Sequence, residues 1–591
     1  MDQGVNHGFS LRKICKQRLK GVFVSLIQTN PNVQNYFLIV DQKTVKVFSA
    51  YMKMADLDQW NQEYVQLKNW NQVESHFQKI HANYFISPTQ DSIWKVLDDF
   101  KDKKNPQYGV VHLFLSNENR LSFNVKIAQC NQLITKIASF KIVNLDFSCT
   151  SDQVFTIETP QILKKAFTQQ NEQQLLKDVS YKLATLLISL INFIVLNFYI
   201  IKQEKEAGKI TVMIIDRSYD IATPLLHDFY YQSMIYDLQD ITNDIYENEV
   251  ETNGKQIKQK VIFNKNDDLF NNYKYRHIIQ VLDGIPVEFK EFIHNNTTAK
   301  VHQGQMNNLD LNQMSEIVKT YINIMNYQEN TPYICWAIFE NKGLKEIAEI
   351  EQSLVTGIDD AGKSISTTKI QSSVTTKLRI ETLDEYDKLR LILLTSIGLE
   401  MSEKDRKILT DEIKVEHQQA IFNLIYLGVN PQKGGQKTSK SSNRINDDLK
   451  KQAKHKQASA CSEFSRNIPL LETLVESYIE SNYKKPQKFD SLIINEDGIG
   501  SKGSGKLNRK GGQSARMMMI VMKLLIALLN WQTILLLNIQ IIFIVGGISY
   551  SEIRSLLSYQ KITSSQITLV GSTNIVKPKD FCQGFLEMNT L

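Results

Sequence analysis

The order in which hydrophobic periods follow one another along this chain constrains its fold most. From the N-terminus to Phe147, short apolar runs alternate with helical stretches. Tyr36–Asp41 (YFLIVD) is an apolar run ending in an acidic residue, and Val45–Ser49 (VKVFS) follows as its return. Val110–Ser116 (VVHLFLS) has a buried-strand pattern, and Ile134–Phe147 adds more. Strands separated by helices imply βαβ units on a mostly parallel sheet. Lys209–Ser218 (KITVMIIDRS) restarts that pattern. Residues 255–425 then read as helical, with LNQMSEIVKTYINIM, KGLKEIAEIEQSLV, DEYDKLRLILLTSIGL and HQQAIFNLIYLGV carrying apolar residues at helical spacing. The end of the chain returns to strand–helix–strand. A large helical insertion between the halves of one α/β domain explains this order.

Composition narrows the class. The chain has 591 residues, 42% apolar and 22% charged, so it can bury a sizeable core. A net charge of +6 is mild for this length and argues against a dedicated nucleic-acid binder. Cys15, Cys130, Cys149, Cys335, Cys461 and Cys582 are far apart in sequence and form no CxxC pair. That spacing suits neither a zinc site nor a disulfide framework and points to a reducing compartment. The N-terminus lacks the apolar core of a signal peptide, so the expected location is the cytosol. Two basic, Gly/Ser-rich segments, 432–457 and 496–516, read as solvated loops.

Two apolar stretches strain the cytosolic expectation. Residues 183–201 and 524–545 are each long enough to cross a bilayer, which needs ~20 residues. The other reading is a buried core helix followed by a buried strand. IIFIVGG, in particular, reads as a strand running into a glycine turn.

Candidate chemistry is sparse. GSGK at Gly503–Lys506 invites a phosphate-loop reading, but Leu507 stands where the Mg²⁺-binding hydroxyl belongs. Asp216 and Asp220 close an apolar strand, where α/β enzymes place carboxylates, and His227–Asp228 follows. The alternative is that Asp216 and Arg217 pair with neighbours and fix the loop. There is no GxSxG elbow, HExxH or GxGxxG, and the histidines lack metal-ligand spacing. No cofactor is expected.

One segment is more specific. DRSYDIATPLLHDFYYQSMIYDLQDI (Asp216–Ile241) resembles the signature of the SM proteins, the Sec-one/Munc-eighteen family of syntaxin-binding proteins. Asp216, Arg217, Asp220, Pro224, Leu226, His227, Gln232, Met234, Tyr236 and Asp237 match its pattern. The likeness continues in order through Asp267–His277, Glu349–Gly362, Glu385–Leu394, Asn423–Val429, Ser462–Glu476, Ile541–Ser555 and Leu569–Phe581. At the other end, Phe37–Leu57 resembles the opening of the family's first domain. The IYENE block is most similar to the exocytic, plasma-membrane branch.

The resemblance implies a three-domain arch, with α/β domain 1 at 1–146 and a discontinuous α/β domain 2 at 147–255 plus 480–591. A mostly helical domain 3 would cover 256–479. It implies a non-enzymatic monomer that clasps a syntaxin-class SNARE in a central cavity, templates the assembling SNARE bundle and binds no nucleic acid. Several such proteins also bind the SNARE's N-terminal peptide outside domain 1. The expected address is cytoplasmic, peripheral at the plasma membrane or at vesicle docking sites. A vacuolar or endosomal member of the family is the alternative, and a hydrolase or nucleotide-binding enzyme a more distant one. By resemblance, Asp41, Lys46 and Lys53 contact syntaxin. Helices around Asp310–Gln328 and Tyr333–Gln352, with Lys319, Tyr321, Glu349 and Gln352, form the templating hairpin. Asp216, Arg217, Asp220, Pro224, His227 and Asp237 are structural signature residues.

Two departures from the family stand out. Residues 183–208, which open with the apolar stretch 183–201, look substituted and shortened against a polar helical region of relatives, and 517–538 is apolar where relatives have a polar, basic loop, which fits locally buried helices or a gene-model artefact such as a translated intron. Lys319 stands where relatives carry a hinge proline. Proline limits helix continuation, so its absence is expected to favour an extended hairpin. Lys319→Pro is therefore predicted to weaken vesicle-SNARE binding several-fold. Equal affinities of mutant and wild type in a binding assay would refute this.

Overall fold

The computed structural model describes residues 9–29, 36–52, 77–102, 106–117, 127–168, 172–198, 210–252, 255–263, 267–295, 331–359, 363–399, 401–429, 466–480, 493–495, 498–500, 538–560 and 566–588. Lys53, Lys319, Tyr321, the GSGK segment, the 432–457 loop and most of 496–537 lie outside them. The chain divides into two units. One comprises Met1–Asp216, Asp490–Gly546 and Gln560–Asn574; the other comprises Arg217–Phe489, Gly547–Tyr559 and Ile575–Leu591.

The first unit begins α1 (Leu11–Thr29), β1 (Tyr36–Val40), α2 (Gln42–Tyr51), β2 (Phe77–Ile86), α3 (Gln90–Asp98), β3 (Tyr108–Leu115), α4 (Asn131–Ile134) and β4 (Ile137–Ile142). Strands β1-β2-β3-β4 form a parallel sheet in that order. One face buries Phe37, Ile39, Tyr84, Ile86, Leu113 and Leu115 against Ile93, Val96 and Phe100 of the α3 region. On the other side Phe23 of α1 meets Phe48 of α2 and Phe114 of β3 edge to face. This is the βαβ layering that the apolar runs imply.

One expectation is overturned. Val45–Ser49 is not a returning strand but the middle of α2. The cause is local. Asp41 caps the helix, its carboxylate accepting from the amides of Lys43 and Thr44, while Thr44 Oγ1 accepts from the Asp41 amide. Satisfying these otherwise orphaned amides outweighs the β propensity of two valines and a phenylalanine.

The chain continues through β5 (Ser148–Cys149), β6 (Val154–Thr156), α5 (Ile162–Phe167), α6 (Glu172–Phe198) and β7 (Ile210–Asp216). The second unit supplies α7 (Tyr231–Leu238), the antiparallel β8 (Ile241–Thr242), β9 (Ile245–Thr252) and β10 (Lys255–Ile262), α8 (Asp268–Tyr273) and α9 (Ile278–Asn295). Helices α10 (Thr331–Asn341), α11 (Leu344–Thr356), α12 (Thr367–Leu378), α13 (Glu385–Gly398), α14 (Glu403–Thr410), α15 (Val415–Asn423) and α16 (Leu470–Glu480) follow. The remaining elements are the small hairpin β11 (Ile493–Asn495) and β12 (Gly498–Gly500), then β13 (Asn538–Val545), α17 (Tyr550–Gln560), β14 (Gln566–Ser572) and α18 (Pro578–Glu587). Parallel-sheet α/β elements thus flank a long helical run, the fold class that the order of periods implies.

A second sheet in the first unit has the order β5-β6-β14-β13-β7. All neighbours in it are parallel except the short edge pair β5–β6. Its central β13 is the IIFIV run, with Ile539 to Val545 all buried, as a strand covered on both faces requires. The other apolar stretch begins inside α6. Leu175, Leu176, Val179, Leu183, Leu186, Leu187 and Leu190 are buried at helical spacing, which makes this segment a core helix through Leu190. Among the described residues no helix is long and apolar enough to cross a membrane.

In the second sheet, a ring from β6 occupies the space that a side chain on β14 would need. Phe155 stacks on Phe543, with centroids 6.0 Å apart, and a Cβ added at Gly571 would lie 2.0 Å from Phe155 Cζ. Gly571→Ala therefore overpacks the sheet and is expected to cost about 1–3 kcal/mol. Thermal unfolding followed by circular dichroism should show a lowered midpoint, partly restored by adding Phe155→Leu.

Candidate functional site

The sequence points to one candidate surface around α2 in the first unit and one buried cluster in the second. On α2, Asp41 is committed to the fold. Besides its capping bonds, its Oδ2 accepts from the Ser87 amide at 2.7 Å and from the Ser92 hydroxyl at 2.7 Å. Both oxygens are engaged, close to the capacity of a carboxylate. One helical turn on, Lys46 points outward, its Nζ 2.8 Å from Glu158 Oε2, with side-chain exposures of 53% and 45%.

From Arg217 onward the signature segment belongs to the second unit. Asp216 ends β7 in register with Val545. Arg217 is fully buried and makes a bidentate pair with Glu552, at 2.9 Å from Nη1 and 2.6 Å from Nη2. Nη1 also donates to the Gly547 carbonyl at 3.1 Å. Glu552 sits there because Ser549-x-x-Glu552 is a capping box at the start of α17: its carboxylate accepts the Ser549 amide at 2.9 Å. Gly547 has φ +99°, and a Cβ there would meet Val576 Cγ1 at 2.4 Å, so the turn that positions this box needs glycine.

Asp220 folds back on the Thr223 amide and hydroxyl and accepts the Leu470 amide at 3.0 Å, which ties down the start of α16. Pro224 opens the 3₁₀ turn Thr223–Leu225 and is buried. His227 carries its amide and its Nδ1 to Glu351 of α11, at 3.0 and 2.9 Å. Its Nε2 lies 3.0 Å from Arg390 Nη1 of α13. A guanidinium only donates, so Nε2 accepts and Nδ1 carries the proton. Both ring nitrogens of His227 are thereby used. Arg390 Nη1 also reaches Asp237 at 2.9 Å, and Arg390 Nε donates to the Leu225 carbonyl.

Burial alone would raise the pKa of Glu351, but His227 and Arg390 outweigh it and hold the carboxyl below its usual range. Burial likewise opposes the charge of Arg390, and Asp237, Glu351 and Asp387 overcome it. The imagined carboxylate/His reaction centre is thus a set of closed ties. His227 has no free nitrogen with which to take a substrate proton, and the Asp220 carboxylate caps backbone.

Glu349 and Gln352 both lie on α11, but on different terms. Gln352 is buried, its Oε1 accepting the Asn467 amide at 2.7 Å, whereas Glu349 is half-buried. The single helix expected over Tyr333–Gln352 is two helices, because Gly343 at φ +64° ends α10 and opens α11. The partners of the signature, Glu351, Arg390 and Glu552, were not singled out by spacing. An arginine inside the apolar run LRLILL and the SYSE capping box were the available signals. Among the described residues no group of three His, Cys, Asp or Glu side chains is placed to hold a metal ion.

Fold and geometry together define an α/β protein with a long helical insertion, whose buried charges fasten remote segments. The Sec1 family model matches residues 36–584, and the chain belongs to the Sec1 family. It is 26% identical to "Protein transport protein sec1" of Dictyostelium discoideum, over 98% of this chain and 99% of that one. Its fold resembles that of the Unc18–syntaxin 1 complex from Monosiga brevicollis, with a TM-score of 0.73 at 20% identity, over 98% of this chain and 100% of the other. The SM protein Vps45 in complex with the Qa SNARE Tlg2 gives 0.68 at 15% identity, covering 98% and 99%.

The Glu351 cluster has a defined pH signature. Its folded pKa is depressed, so its stabilisation is full above the unfolded value of about 4.3 and is lost as pH falls through the folded value. Glu351→Gln should lower the unfolding temperature most near pH 7. The gap to wild type should narrow below about pH 4. Scanning calorimetry at stepped pH checks this; a gap that widens on acidification contradicts it.

Proposed function

We propose that this chain binds a syntaxin-class SNARE and promotes SNARE assembly before membrane fusion, acting without catalysis. The observation that carries the reading is the match of nearly the whole chain to folds solved with a SNARE bound. The closed hydrogen bonding of His227 and Asp220 supports a scaffold over an enzyme. Within the family, the exocytic branch is favoured by the full-length likeness to sec1 and by the IYENE block. A vacuolar or endosomal role is the second reading, favoured by the likeness to Vps45. The proposed address is cytoplasmic, peripheral at the plasma membrane or docking sites. The three-domain partition at 1–146, 147–255 plus 480–591, and 256–479 belongs to the same proposal.

On this reading Lys46 meets an acidic residue of the SNARE, and Asp41 sets the position of α2 from within. Lys53, with the hairpin residues Lys319, Tyr321 and Glu349, completes the proposed contacts. The buried Gln352 acts by holding α11 in place. An N-terminal SNARE peptide has a suitable surface on the first unit. Ile134, Phe140 and Ile142 are 43%, 43% and 39% exposed, on or beside the edge strand β4. An apolar edge of this kind suits an added peptide segment.

Isothermal titration with the recombinant cytosolic region of a syntaxin-class SNARE tests the reading. Saturable binding is expected, weakened about tenfold or more by Phe140→Asp if the N-terminal peptide contributes a central anchor. Failure to bind any Qa-SNARE, or turnover in an ATP and ester screen, would overturn it. The partner recovered in a pull-down separates the exocytic from the vacuolar reading.

A further inference from the structure

The backbone around Glu158 is unusual. Glu158 has φ +35° and Gln161 has φ +52°, left-handed values that non-glycine residues adopt only when their surroundings insist. The surroundings here do insist. The Ile157 amide donates to the Ser572 carbonyl and the Thr159 amide to the Thr573 carbonyl, each at 3.1 Å. Asn574 closes both polar groups of Thr159, at 2.7 Å each. From beneath, Lys182 Nζ donates to the Ile157 carbonyl at 2.6 Å and to the Glu158 carbonyl at 3.4 Å. Burial lowers the pKa of this lysine, and Asp146, Glu158 and Asp178 act against that while Lys43 adds to it.

The result is a clamped, strained loop that presents one carboxylate to Lys46. Lys182 donates to two backbone carbonyls of the loop, while the Glu158 carboxylate makes its 2.8 Å contact with Lys46. Strain held in place at an exposed ion pair is a cost that stability alone does not explain, since exposed pairs contribute little.

We propose that Glu158 is a built-in competitor for the partner's carboxylate at Lys46. In the unbound chain it holds the ammonium in position and neutralises it; an acidic side chain of the bound helix displaces it. This rests on the reading of Lys46 as a SNARE contact. The pair sets a threshold: a partner that offers no carboxylate at this point gains nothing by opening it, while one that does exchanges one exposed ion pair for another. Removing Glu158 lowers the threshold and takes from Lys46 the carboxylate paired with it.

Titration of the full chain with the recombinant cytosolic region of a syntaxin-class SNARE tests this in four variants: wild type, Glu158→Gln, Lys46→Gln and the double mutant. Lys46→Gln should weaken binding. Glu158→Gln should tighten it about two- to fivefold, the span of an exposed ion pair, and should have no effect when Lys46 is already Gln. If Lys46→Gln leaves affinity unchanged, the reading of Lys46 fails. If Lys46→Gln weakens binding but Glu158→Gln does not tighten it, or tightens it equally in the double mutant, the competitor is refuted and the reading stands. A second measurement needs no SNARE: acetylation of Lys46 by a soluble acylating reagent, read by mass spectrometry, should quicken in Glu158→Gln. An unchanged rate would show that the pair does not hold Lys46 in solution and would overturn the proposal.

Discussion

A guanidinium keeps its charge wherever it is placed, so a buried arginine compels its surroundings to supply acceptors. Arg390 is 2% exposed, and its acceptors come from a stretch of chain more than 150 residues upstream: the Leu225 carbonyl, His227 Nε2 and the Asp237 carboxylate. His227 then passes the constraint to Glu351. Arg217 does the same with Glu552, and Asp220 with the start of α16. One short segment, Arg217 to Asp237, thereby fastens α11, α13, α16 and α17. Ionic ties of this kind add little net stability over an apolar core, but breaking one leaves an uncompensated charge at a cost of about 3–5 kcal/mol. Their value here is specificity: the paired donors and acceptors meet only when four helices distant in sequence take this mutual arrangement.

This explains which parts of the molecule were legible in the sequence. Strands β1, β3 and β13 are short β-branched or aromatic runs largely buried on both faces, β7 is a half-buried run of the same composition, and a run of that kind carries its own signal. Val45–Ser49 carried the same signal and misled, because the deciding atoms were Asp41 and Thr44, outside the run. Strand β2 contains His81 and Asn83 among its apolar residues, which hid it. Gly343 splits the segment that the resemblance joined into one helix. In the signature, the residues themselves were visible through resemblance, but their partners were not. Pairing between Arg217 and Glu552, or His227 and Glu351, spans hundreds of residues or more than a hundred, and no local period encodes it. The Ser549–Glu552 capping box and the arginine inside the apolar run LRLILL are the signals that can be read in place.

The contrast between Asp41 and Lys46 shows how one short helix divides its labour. Asp41 has every oxygen engaged in capping α2 and joining it to Ser87 and Ser92. Among the described residues the Lys46 ammonium pairs with Glu158, which is itself half exposed. The first fixes where the helix lies; the second is free to exchange its partner. Two charges one turn apart on a helix can therefore differ wholly in how far the fold commits them.

The central place of β13 has a consequence for biosynthesis. It lies between β7 and β14, yet some 320 residues separate it from β7. At roughly 5–20 residues per second, a ribosome needs tens of seconds to supply it. Throughout that interval β7 has no parallel neighbour in its own sheet, and its open edge can pair with another chain. The sheet is sealed only by nearly the last strand to emerge. A nascent chain of this design depends on something else to shield that edge, and any arrest of translation before Asn538 leaves a product with an aggregation-prone strand.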